Sequence, residues 1–258
     1  LLIDKTKKLK ISSDNFESNN QKLENYSMSI FIVGLPRCGS TLVESIISLN
    51  TKVKDLGEVN IFEESYREYK QSEKRKNLSE IYWKKLEISD SKIITTNKWL
   101  FNYQYAGIIA KAIPNAKIIH CYRNPLDNIL STYRAHFATG NNFSSSLVDS
   151  AEVYSDQDEI MRTYKKEFKN HIYSLNYDKL VTHPSDEIKS LIHWLGWSWN
   201  DLYLSPHLNK RKVVTRSNVQ VRSPINTKSL GGWKNYKEML KPAMEIITKK
   251  EKYKDLKY

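Results

Sequence analysis

The sequence predicts an α/β fold, a P-loop-like three-layer arrangement in which a central parallel sheet carries helices on both faces. Three observations carry this. Short apolar runs alternate with helical segments along most of the chain, the pattern of successive βαβ units. The clearest runs are 30–33, apolar on both faces as strands covered on both sides require, and 117–122, with Ile118, Ile119 and Cys121. A turn bearing two glycines follows the first of them and opens directly into an amphipathic stretch.

Residues 1–27 are polar, rich in Asn, Ser and Lys and without sustained period, so an arm or linker is expected there. One domain is expected over 28–248, and a basic tail over 249–258. Within the domain, a strand at 30–33 leads through a turn at 34–39 into a helix at 41–49 with Leu42, Ile46 and Leu49 inward. A strand at 53–56 precedes charged helices near 61–70 and 79–86. A strand at 92–96, a helix at 103–112 and a turn at Pro114-Asn115 lead to a strand at 117–122. Pro125 opens a helix reaching 137, at a position where its missing N–H loses nothing. A long helix at 146–168, a strand at 172–176, a helix at 184–195, a basic loop at 205–231 and a helix at 233–249 complete the chain. No internal repeat is visible.

The 258 residues are 40% hydrophobic and 27% charged, which excludes a wholly disordered chain. A chain of this length buries a large core without staples. No run approaches the roughly 18 apolar residues a membrane helix needs, and the first residues, Leu1 to Lys5, are too charged for a secretory signal. The chain starts without Met and is expected to be a piece of a longer protein. Two cysteines, Cys38 and Cys121, exclude a disulfide framework and a four-thiolate metal site, and suit a reducing, cytoplasmic setting. No metal is expected. The net charge of +12 points to polyanionic partners. Only 9 of the 41 cationic residues are Arg, so the excess is read as a solvated lysine surface and nucleic acid is not expected.

In parallel sheets ligands bind beyond the carboxyl ends of the strands. The polar residues there are the turn 34–41, then Gly57-Glu58, Asn97-Lys98, Arg123-Asn124-Pro125 and Tyr177-Asp178. A glycine turn, cations, a carboxylate and a phenol on one edge suit an anionic nucleotide beside a reacting group. Gly34 and Gly39 have P-loop spacing between strand and helix, which aims backbone N–H groups and a helix N-terminus at an anion. A nucleoside triphosphatase has Lys next, then Ser or Thr. Here Ser40 fills the lysine slot and Thr41 follows, so the usual grip on β- and γ-phosphates is missing. A terminal phosphate or phosphosulfate suits the loop, with Arg37, Ser40 and Thr41 as donors. Arg123 leaves a strand and Ser131 lies two turns into the next helix, where both suit a second phosphate, the Arg by a bidentate contact. Asp127, in the first turn, suits the helix dipole.

These motifs carry a resemblance. G-L-P-R-C-G-S-T-L-V-E at 34–44 is similar to the 5′-phosphosulfate loop of sulfotransferases, and R-N-P-L-D-N-I-L-S at 123–131 to their 3′-phosphate motif. The stretch R-S-N-V-Q-V-R-S-P-I at 216–225, with Gly232, Trp233 and Tyr236 after it, resembles the sulfotransferase domain of bacterial tetratricopeptide-linked proteins and, more distantly, protein-tyrosine sulfotransferases. The resemblance covers about 29–236. It implies the cofactor 3′-phosphoadenosine 5′-phosphosulfate (PAPS), with 3′,5′-adenosine bisphosphate (PAP) as product, and in-line transfer of the sulfuryl group to an acceptor hydroxyl, peptide tyrosine among the candidates. It implies Arg37, Cys38, Gly39, Ser40, Thr41, Leu42, Arg123, Ser131, Tyr177 and Arg222 as cofactor-binding residues. Cys38 departs from the family's usual Ser. Glu58 matches the general base of the tyrosine-sulfating relatives, Lys98 their leaving-group lysine and Ser217 a serine at the reacting centre, with Arg37 assisting. Tetratricopeptide repeats upstream are a further implication. His120 is read as sheet packing, His136 as helix surface, and Trp194, Trp197 and Trp199 as packing. Trp233 suits either an adenine wall or helix packing. Segments 60–86 and 138–146 are expected to line the acceptor. A nucleotide or small-molecule kinase and a non-catalytic nucleotide-binding module are the alternatives.

Overall fold

Ile30, Phe31, Ile32 and Val33 are all fully buried, which requires a strand covered on both faces. In the computed structural model, which describes residues 2–17, 27–72, 77–88, 93–135, 137, 140–209 and 222–256, this strand is the centre of the sheet. The strands are β1 (Ser29–Gly34), β2 (Val53–Asp55), β3 (Ile94–Asn97), β4 (Ala116–Tyr122) and β5 (Ile172–Asn176). They run in the order β2-β3-β1-β4-β5, and every pairing is parallel. Register sets Gly34 beside Cys121, so β1 and β4 end nearly level, while Asn97, the last residue of β3, lies beside Phe31, three residues before the end of β1.

The α-helices are α1 (Leu2–Asp14), α2 (Ser40–Ile47), α3 (Ile61–Gln71), α4 (Leu78–Leu86), α5 (Ala106–Ala112), α6 (Pro125–Tyr133), α7 (Leu147–Glu167), α8 (Tyr177–Thr182), α9 (Pro184–Trp194) and α10 (Lys237–Ile247). The alternation of side chains along β1 divides the core. Ile30 and Ile32 pack with α2, α8 and α9, while Phe31 and Val33 pack with α3 to α7, α10 and Leu9 of α1. The expected three layers are therefore present. Among the described residues no helix is long and apolar enough to cross a membrane.

The structure differs from the sequence expectation at several ends. The polar stretch at the start carries α1, which docks through its polar groups: Gln104 donates to Thr6 Oγ1 at 2.8 Å and Lys111 to the Ser13 carbonyl at 2.8 Å. Hydrogen bonds of this kind leave no apolar period to read. The tail likewise holds a 3-10 turn, Glu251–Tyr253, whose buried Tyr253 meets Tyr154 edge-on at 6.3 Å. Leu100–Tyr105 and Gly232–Tyr236 are 3-10 turns that precede α5 and α10, not the first turns of longer helices. The helix from Pro125 stops at Tyr133, short of the expected 137. Helix α8 was not anticipated; the Asn176 side chain starts it by accepting from the Asp178 and Lys179 N–H groups.

His120, on β4, is buried, stacks on Tyr122 and lies 2.7 Å from Gln157 through its Nε2. Burial holds its pKa down at about 4. The unfolded chain, with His near 6.5, then binds the extra proton between pH 6.5 and about 4. Stability is expected to fall on acidification through that window, by up to ~3 kcal/mol from this group. Urea midpoints measured at pH 7, 5.5 and 4.5 should drop less steeply in His120→Gln than in the unsubstituted chain.

Candidate active site

The turn between β1 and α2 is shaped by two close approaches. A Cβ on Gly34 would lie 2.4 Å from the Cys121 carbonyl oxygen, and one on Gly39, where φ is +93°, would lie 2.2 Å from the Tyr177 ring. Both positions therefore require glycine. Arg37 also has positive φ, +69°, unusual for a residue with a side chain. No side chain caps α2 at Gly39, so its positive N-terminal end is left for a ligand. Helix α6 braces the turn from the other side: Asn128 Nδ2 and Thr132 Oγ1 both donate to the Pro36 carbonyl, at 3.0 and 3.2 Å.

A cleft of about 760 Å³ opens at this point, lined by Arg37, Gly39, Thr41, Leu42, Arg123, Ser131 and Tyr177 among others. It lies beyond β1, β4 and β5, where the connections leave the sheet in opposite directions. The two motifs meet directly, because Arg37 Nε donates to Ser131 Oγ at 3.1 Å. Asn124 caps α6 by accepting from the Leu126 and Asp127 N–H groups, which fixes where Arg123 leaves β4. Arg123 is 6% exposed. Its guanidinium lies over the Tyr177 ring at 5.0 Å, donates to the Ser229 carbonyl at 2.5 Å and pairs with Asp127 at 3.7 Å. Its buried Nε makes no hydrogen bond among the described residues. Tyr177 shares a hydrogen bond with Ser229 Oγ at 2.8 Å.

Ser40 and Cys38 belong to the turn but are not in the cleft lining. Ser40 is buried at the start of α2. The Cys38 thiol turns under the turn onto Cys121, and a hydrogen bond between the two pushes Cys38 below its usual range and Cys121 above it. The serine-to-cysteine departure thus sits on the inner side of the loop.

Glu58 and Lys98 form a second group on the β2/β3 side, outside the cleft lining. The ladder continues past both strands, with Leu56 N–H donating to Thr96 at 2.9 Å and Lys98 N–H to Gly57 at 2.8 Å. That extension brings the two side chains together: Lys98 Nζ donates to Glu58 Oε1 at 2.5 Å. Lys98 is 1% exposed and Glu58 50%, so the ammonium is enclosed and the carboxylate faces outward.

Arg222 is exposed, donates to the Asn209 carbonyl at 2.5 Å and is not in the cleft lining. Ser217 and His136 lie outside the described residues. Trp194, Trp197 and Trp199 pack on the α9 side of the core. Trp233 is buried in the opposite layer, with its N–H on Asp127 Oδ1 at 3.1 Å. Sequence reasoning missed Lys228 and Ser229, which line the cleft, and the part Asp127 plays there. Asp127 accepts from the Gly231 N–H at 2.7 Å as well as from Trp233, and so ties the 228–233 segment over Arg123.

Gly39→Ala is expected to push the Tyr177 ring aside and to lower stability by about 2 kcal/mol. Tyr177→Ala removes the clash, so the double variant should be more stable than the two separate losses add up to. Urea midpoints of the four proteins test this.

The family described as the sulfotransferase family matches residues 29–201. An uncharacterized protein of Aquifex aeolicus is 30% identical over 244 residues, covering 84% of this chain and 32% of that protein. Protein-tyrosine sulfotransferase 1 of Danio rerio is 24% identical over 230 residues, covering 79% of this chain and 65% of that protein. The chain thus spans less than two thirds of either relative's length. A solved mouse sulfotransferase complexed with PAP shares the fold with a TM-score of 0.53 at 15% identity, covering 96% of this chain and 91% of the other. The matched span holds the turn after β1, the Glu58–Lys98 pair and the Arg123–Ser131 segment, and the chain belongs to the sulfotransferase family.

Proposed function

We propose that this chain transfers a sulfuryl group from PAPS to an acceptor hydroxyl. The observation that carries this reading is that one cleft holds both the uncapped glycine turn at the start of α2 and the buried Arg123, whose Nε makes no hydrogen bond among the described residues. A buried donor without a partner is costly unless a ligand satisfies it. A donor carrying a 3′-phosphate and a 5′-phosphosulfate fits two such sites, and a nucleoside triphosphate does not, because Ser40 stands where its loop has Lys.

The residues divide the work. The turn from Arg37 to Leu42 and the end of α2 hold the 5′ side, and Arg123, Ser131 and Tyr177 the 3′ side. PAPS supplies the sulfuryl group and departs as PAP. Glu58 accepts the proton of the acceptor hydroxyl as its oxygen bonds to sulfur. Lys98 stabilises the negative charge that collects on the leaving oxygen as the S–O bond breaks. Positioning and charge do most of the work in such an in-line transfer, as they do in phosphoryl transfer. Ser217 is retained as a further donor at the reacting centre, and Arg222 as a 3′-phosphate ligand that would have to leave Asn209.

Peptide tyrosine is the acceptor proposed first, supported by the Glu58 and Lys98 positions that resemble those of tyrosine-sulfating enzymes in sequence and by a relative that carries that name. The catalytic unit is taken as 28–248 with α1 docked on it, acting in the cytoplasm, and in the longer protein tetratricopeptide repeats would precede it.

Calorimetric titration with PAP tests the reading, with ATP and magnesium as control. Micromolar PAP binding without magnesium is expected, weakened roughly 30- to 100-fold in Arg123→Ala, the loss of a charge-assisted contact. Glu58→Gln should keep PAP affinity within a few-fold while sulfuryl transfer to a tyrosine peptide falls by about 100-fold or more. ATP binding in place of PAP would overturn the assignment.

A further inference from the structure

Glu44 lies on α2, one turn beyond the glycine loop, and is 1% exposed. Its neighbours Val43, Ile46 and Ile47 belong to the apolar cluster under the sheet. A carboxylate at such a depth is unfavourable unless a charge answers it. Among the described residues Lys98 supplies such a charge: Glu44 Oε2 lies 3.9 Å from Lys98 Nζ, and Lys98 is equally buried. Lys98 therefore stands between two carboxylates on different elements. Glu58, half exposed, takes the short contact at 2.5 Å, and Glu44, on the helix that begins at the glycine loop, takes the longer one. The thiols of Cys38 and Cys121 also lie within electrostatic reach of Lys98.

We infer that Glu44 is a positioning residue that holds the Lys98 ammonium on the cofactor side of the site. This rests on the proposed function, in which Glu58 takes the acceptor's proton and Lys98 answers charge on the leaving oxygen. Those roles conflict if Glu58 is the sole partner of Lys98. An anionic Glu58 draws the ammonium toward the acceptor, away from the 5′ phosphate. Once Glu58 has taken the proton it is neutral, and the buried ammonium would then have no counter-charge from the protein. Glu44 resolves both conflicts. It pulls against Glu58 before the transfer, and it keeps the ammonium paired after the proton has moved from the acceptor oxygen to the Glu58 carboxylate. The arrangement works because α2 carries both the loop's anion-binding end and Glu44, so the position of Lys98 is tied to the helix that holds the phosphate.

The test is a double-variant cycle on PAP affinity, read by calorimetry at pH 7.5 in the unsubstituted chain, Glu44→Gln, Lys98→Met and the double variant. If Glu44 acts through Lys98, Glu44→Gln weakens PAP binding by about tenfold while Lys98 is present. In the Lys98→Met background the same substitution leaves affinity unchanged or strengthens it, because it then only removes a negative charge from the neighbourhood of an anion. A purely structural Glu44 weakens binding equally in both backgrounds, and that result overturns the inference, as does no change with Lys98 present. Should Glu44→Gln not fold, Glu44→Asp replaces it. It keeps the charge but withdraws it by one methylene, and is expected to lose about threefold in affinity only when Lys98 is present; an equal loss in both backgrounds overturns the inference. If the unsubstituted chain binds no PAP, the sulfotransferase reading fails and this one with it. If it binds PAP and the cycle shows no coupling, this inference fails alone.

Discussion

Everything at this site depends on how β1 leaves the sheet. The strand is central and parallel to both neighbours, so its last residues have no room to spread sideways. Gly34 lies against the Cys121 carbonyl and Gly39 against the Tyr177 ring, and between them the chain reverses into α2. This steric constraint fixes the direction of α2, and with it a helix N-terminus that no side chain caps. It also fixes Tyr177, whose ring is the surface on which Arg123 lies. The glycine turn and the ring beneath Arg123 are thus set by the same close packing.

The charges are arranged around that frame in an uneven way. Arg123, Asp127, Lys98 and Glu44 are all nearly inaccessible, although the chain has an exposed lysine surface on which charge is cheap. Burying them makes no sense as a contribution to stability, since a buried pair seldom improves on an apolar one of equal volume. It makes sense electrostatically, because charges in an enclosed site act on a ligand with little screening and without reorienting when it arrives. The overall +12 attracts anions in general, while the enclosed cations Arg123 and Lys98 set up local fields that solvent screens little.

What the sequence disclosed and what it hid follow physical lines. The parallel sheet was legible because strands covered on both faces are apolar throughout, as 30–33 shows. The glycine turn was legible because its steric demand leaves a residue type behind. Arg37, Ser131 and Arg123, singled out for their polar groups at the strand ends, do line the cleft. Ser229 was hidden because part of its contribution is a backbone carbonyl, which any residue supplies. Asp127 was read only as a helix-dipole partner, since its two backbone ligands, Gly231 and Trp233, are about a hundred residues away. Helix α1 is hard to read from sequence because its buried face alternates Leu9 with Thr6 and Ser13, and much of its docking runs through hydrogen bonds of Thr6, Ser13 and the Leu2 carbonyl. Glu44 was passed over because a glutamate one turn into a helix looks the same whether it faces water or Lys98. The Glu58–Lys98 pair came only from resemblance; its physical cause, two extra hydrogen bonds that prolong the β2/β3 ladder, appears only in the structure.

The contact between Arg37 and Ser131 explains how two distant segments act as one site. Arg37 holds a left-handed backbone that a residue with a side chain adopts at some cost, and in that conformation its Nε reaches across to α6. Asn128 and Thr132 reach back from the same face of α6 to the Pro36 carbonyl, next to the strained residue. The strain at Arg37 is therefore held by three hydrogen bonds to a single helix, and that helix starts immediately after Arg123. Any shift of the loop relative to α6 would have to break all three. The spacing between the loop and Arg123 is thereby set by contacts within the chain. The same bracing leaves the underside of the loop free to vary, which is where Cys38 sits against Cys121, and why a thiol there leaves the donors facing the cleft in place.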